Sequence, residues 1–185
     1  MRLSALDEAN LEPEQAAVLN QLRSGPRGAG AGLFGPFGVW VRAPSVGGSV
    51  QALGSAIRFE SQLDDKVREV AICTVGHHYR ARFEFAAHRD IGVAAGVDPD
   101  ALERLRLDQP PGFNGREDLA YRVAKSMLED HRLDDALYSE AIEVLGETNL
   151  IELVTTIGYY CLVSHTLNVF EVPLRDGMED PYPDD

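Results

Sequence analysis

Apolar residues recur at helical spacing along nearly the whole of this 185-residue chain, and no stretch shows the apolar/polar alternation of a half-buried strand. The spacing predicts a short helix over 13–23, "PEQAAVLNQLR", with Pro13 in its first turn and Ala16, Leu19 and Leu22 on one face. The glycine- and proline-rich "SGPRGAGAGLFGPFGVW" reads as loop, and loop is expected over 24–46 as a whole. Further helices are expected over 47–61, 64–77 and 80–95, then one opened by Asp98 and Pro99, then two over 116–131 and 134–145. The last, over 147–170, "ETNLIELVTTIGYYCLVSHTLNVF", is apolar on several sides, which places it inside a bundle or at a subunit interface. The expected fold is all-α: a single-domain helical bundle of about seven or eight helices over 1–174, followed by an acidic tail over 175–185.

Composition narrows the function. A hydrophobic fraction of 44% and a charged fraction of 25% are those of a soluble globular chain. A formal net charge of −13 leaves no excess of Lys and Arg to neutralise phosphates, so neither nucleic acid nor an anionic membrane surface is an expected partner. The tail "EDPYPDD" reads as solvated and disordered. Cys73 and Cys161 lie far apart in apolar surroundings, which suits free thiols in a reducing compartment. The N-terminus carries no apolar signal segment. The longest apolar stretch is broken by Glu152, Thr155, Thr156 and His165 before reaching the ~18 residues of a spanning helix. A cytoplasmic location is expected.

The candidate chemistry sits in "RFEFAAHRDIGVAAG". On a helix, Ala81, Glu84, His88, Ile91 and Ala95 share one face, so two titratable groups lie on an otherwise apolar stripe. A glutamate four residues before a histidine can bond its ring, hold its orientation and favour the imidazolium. His88 is thus a candidate general acid/base with Glu84 as its orienter. Glu69, between apolar neighbours on the preceding predicted helix, would be folded back against this pair by a turn near His77, His78 and Tyr79; a plain ion pair with an arginine is the alternative. Arg58, Arg80 and Arg82 are candidates to bind an anionic group, with Tyr159 and Tyr160, or Asn168, as pocket-lining residues and Gly35 to Trp40 as a lid.

Other chemistries are less well supported. Gly30, Gly32 and Gly35 have G-x-G-x-x-G spacing but lack the strand before and the helix after that a dinucleotide site requires. The histidines and glutamates invite a metal, yet neither H-E-x-x-H nor a tight Cys/His set is present, so neither metal nor cofactor is expected.

"GPFGVWVRAP", "LDDKVREVAI", "FEFAAHRDIGVAAGV" and "LVTTIGYYCLVSHTLNVFEVPL", in this order, resemble the carboxymuconolactone decarboxylase family of the alkylhydroperoxidase D-like superfamily, over roughly residues 35–174. The resemblance implies an all-helical subunit assembling into trimers or hexamers, with its active site beside the two central helices. In the peroxidase branch a glutamate precedes a Cys-x-x-Cys-x-x-x-His motif. Here the glutamate falls on Glu69 and the histidine on His88, while the cysteine positions fall on Ala81 and Glu84. Peroxide reduction needs a thiolate and a resolving thiol, and both are missing from the motif. The decarboxylase branch has glutamate and histidine at the positions of Glu84 and His88. The resemblance therefore implies cofactor-free decarboxylation or related proton transfer on a small organic acid or lactone, rather than peroxidase or peroxiredoxin activity. Two alternatives stay open: an alkylhydroperoxidase or peroxiredoxin-type antioxidant enzyme, disfavoured by the missing thiols, and a homo-oligomer that has lost its activity.

Overall fold

The computed structural model describes residues 1–183, and among these the regular secondary structure is entirely helical. A 3-10 turn over Glu8–Asn10 precedes α1 (Pro13–Ser24), α2 (Phe37–Trp40), α3 (Pro44–Phe59), α4 (Asp65–His78), α5 (Arg82–Ala95), α6 (Pro99–Arg106), α7 (Gly115–Glu129) and α8 (Asp135–Val169). The two predicted C-terminal helices meet inside α8 at Gly146, whose φ of 79° and ψ of 165° are not helical. Packing divides the chain into two compact units: residues 1–61 with 166–177, and residues 62–165 with the segment from Met178 on.

In the first unit, Leu19 and Leu22 of α1 bury against Ala31, with Leu11, Leu33 and Phe37 packed around them. Part of the region expected to be loop is ordered into α2, because Gly38, Val39 and Trp40 are buried and Phe37 sets its ring edge-on to Trp40 at 5.7 Å. α3 starts three residues earlier than expected, at Pro44, and carries Gly47 where a Cβ would lie 2.1 Å from the Trp40 carbonyl oxygen.

The second unit is built on α4. Asp64 caps it by accepting from the Lys66 and Val67 amides, and Glu152 of α8 accepts from the Gln62 and Leu63 amides just before it, both at 3.0 Å. Every residue from Val67 to Gly76 is buried. α5, α6 and α7 pack on this helix. The turn between α4 and α5 is tight, with Arg80 left-handed (φ 49°), and α5 ends on a left-handed Gly96 (φ 96°), as helix C-termini commonly do.

Two expectations need correction. The acidic tail is not uniformly solvated: Pro181 and Tyr182 are buried against the second unit, because the Tyr182 ring has an aromatic pocket to enter. Asp184 and Asp185 lie outside the described residues. The stretch Glu147–Val169 does have the length and composition of a membrane span despite its polar interruptions, with half of its apolar window buried within the protein.

Candidate active site

α4 and α5 bring three titratable side chains together. Gly76 lets the helices close: a Cβ there would sit 3.2 Å from the Phe85 amide nitrogen. Across this contact Glu69 Oε2 lies 2.5 Å from His88 Nδ1, joining residues 19 positions apart. From within α5, one turn away, Glu84 Oε1 lies 3.0 Å from His88 Nε2. The imidazole is thus held between two carboxylates, one at each nitrogen. All three residues are buried, Glu69 at 1% exposure, Glu84 at 3% and His88 at 5%.

Burial is the largest single influence on His88 and disfavours its charge, but the fields and hydrogen bonds of Glu69 and Glu84 together outweigh it and raise its pKa from 6.5 to about 9. At neutral pH the ring is an imidazolium that donates from both nitrogens. A fourth group extends the chain of alternating charge: buried Arg68 places Nε 3.4 Å from Glu69 Oε1 and Nη2 2.6 Å from Asp65 Oδ1. The Tyr160 ring stands edge-on to His88 at 4.9 Å, and Tyr159 stands edge-on to Tyr160 at 5.2 Å.

Arg68 escaped the sequence reading. The available signal was a cation between Val67 and Glu69 on a helix with no polar face, where a charge must find a buried partner. Of the two candidate tyrosines, Tyr160 sets its ring directly against His88.

Of the remaining predicted residues, some belong to the first unit and others pair with aspartates. Arg58 lies over the Phe59 ring in the first unit, and exposed Asn168 also belongs to that unit, as does the segment expected to form a lid. Arg80 pairs with Asp108 at 3.0 Å, and Arg82 with Asp180 at 2.7 Å. The buried Cys73 thiol is pushed well above its usual range by desolvation first and by Glu69 and Glu84 next, the reverse of what activates a thiolate. Among the described residues, no group of three or more His, Cys, Asp and Glu side chains is placed to hold a metal ion. In the Glu69–His88–Glu84 cluster both ring nitrogens already face carboxylates. A cleft of about 690 Å³ in the second unit is lined instead by His77, Arg80, Asp108, Tyr121 and Lys125, among others.

No family model matches the sequence, and no curated protein matches it. The arrangement is a proton-holding device: a buried imidazolium with an acceptor at each end and an arginine behind one of them.

Proposed function

We propose that this chain is a cofactor-free acid/base enzyme of the carboxymuconolactone decarboxylase type, acting on a small, anionic organic acid or lactone. The single observation that carries this reading is His88 clamped as an imidazolium between buried Glu69 and Glu84. In a conjugated lactone acid, the bond to the carboxylate breaks and its electron pair passes into the carbonyl as a dienolate. One proton then adds to carbon, and carbon dioxide leaves. The protein must orient the acid and deliver that proton in a water-poor site.

The distances support a different division of roles from the one expected from spacing. Glu69, backed by Arg68 and closest to the ring, is the orienter at Nδ1. Glu84 shares the Nε2 proton and is the group through which that proton exchanges with substrate. His88 then regains its proton from solvent. With Arg80 and Arg82 paired to aspartates of their own chain, anion binding at these arginines requires exchange of those pairs.

His88→Gln is expected to lower carbon dioxide release from carboxymuconolactone by ~10²–10⁴, the usual contribution of one acid/base group. Unchanged turnover in a folded variant would overturn the assignment. One observation favours a second reading, the inactive scaffold: both ring nitrogens are engaged and all four side chains are at most 8% exposed. On that reading the intact chain has no turnover and His88→Gln changes only its melting temperature.

A further inference from the structure

The C-terminal segment is held by features that resemble recognition of a peptide more than the end of a fold. Tyr182, 4% exposed, enters a pocket between Phe85 (ring centroids 5.7 Å apart) and His77 (6.1 Å), with the Arg80 guanidinium 4.7 Å from its ring centre. His77 Nε2 faces the Asp108 carboxylate at 2.9 Å and so carries the ring proton, leaving Nδ1 to accept from the Tyr182 hydroxyl at 3.2 Å. Burial, which lowers the His77 pKa, is consistent with a neutral ring. Asp180 Oδ2 meets Arg82 at 2.7 Å, and its other oxygen accepts from the Tyr182 amide, shaping the Asp-Pro-Tyr turn. Arg106 donates to the Pro181 carbonyl at 2.8 Å, and Arg89 pairs with Glu179 at 3.2 Å.

We propose that this arginine-rimmed groove on α4, α5 and α6 is a recognition site for an acidic Asp-Pro-Tyr segment, filled in cis by residues 179–182 and exchangeable for the same segment of a second copy. Three features support exchange. The anchor is one ring in one pocket surrounded by ion pairs, the pattern of an interface dominated by a central residue. The ion pairs are partly exposed (Arg82 39%, Asp180 30%, Glu179 78%) and are individually weak. The segment also begins where the chain changes compact unit, after Gly177, whose φ of 86° suits glycine and around which a Cβ would meet nothing within 4 Å. The grip falls on the helix that bears Glu84 and His88: Arg82, Phe85 and Arg89 all belong to α5. Release of the segment therefore loosens α5. This inference rests on the fold and does not depend on the acid/base reading.

The test uses a labelled synthetic peptide of residues 178–183 and the full-length chain carrying Tyr182→Ala. By anisotropy the peptide is expected to bind this variant at least about tenfold more tightly than the intact chain, whose groove is already filled. Placing Tyr182→Ala in the peptide should abolish that preference. Amide exchange along α5 should be about tenfold faster in the variant and slow again when peptide is added. Equal binding to both chains, equal binding of both peptides, or unchanged α5 exchange overturns the proposal. Should Tyr182→Ala not fold, Asp180→Asn keeps the ring and removes one ion pair, so both readings should move by about threefold. Readings identical to the intact chain overturn it there.

Discussion

At the scale of single residues, His88 couples protonation to stability. Its pKa is about 9 in the fold against 6.5 unperturbed, so between these values the native state holds a proton that the unfolded chain releases. The group's contribution is fully present below about pH 6.5 and is lost as pH rises through about 9, amounting to roughly 3 kcal/mol at most. Urea midpoints should therefore fall across this interval for the intact chain, and His88→Gln should flatten that part of the curve. The proposed chemistry needs the same protonated ring, so kcat/KM should decline on the alkaline side near pH 9. Glu69→Gln removes one of the two carboxylates that raise the His88 pKa, and should move this decline to lower pH. If the alkaline limb stays in place, Glu69 does not set the state of His88.

At the scale of elements, two glycines of α8 have opposite requirements. Gly146, at φ 79° and ψ 165°, occupies a region that is essentially glycine-only, so Gly146→Ala should destabilise by about 1–3 kcal/mol. Gly158 is exposed within the helix, and in a single chain a Cβ there would meet nothing within 4 Å, so Gly158→Ala should stabilise the isolated chain by roughly 0.5–1 kcal/mol through helix propensity. Paired thermal melts check both signs. The same helix shows how far pattern reading reaches. Its two halves were legible from periodicity, since a turn of 3.6 residues is a local property. α2 was not, because four residues are too few to show a period and its order comes from burying Val39 and Trp40.

At the scale of the whole molecule, the proposed homo-oligomer, a trimer or hexamer, draws support from apolar side chains that one chain leaves exposed on its last helix: Ile151 at 59%, Val154 at 38% and Leu162 at 42%. Sedimentation should show an assembly larger than one chain, and Leu162→Glu should shift it toward the monomer; a monomeric intact chain would remove this element of the proposal. The sequence by itself determined the helical class, most helix boundaries and the Glu84–His88 pair, because each depends on neighbours within a turn or two. Only the tertiary structure decided that Glu69 reaches the other nitrogen of His88, that Arg68 stands behind it, and that Tyr182 is buried. Those contacts join distant positions or depend on which side of a helix another element covers. Helical geometry says which residues share a face, and only packing between helices decides what each face meets.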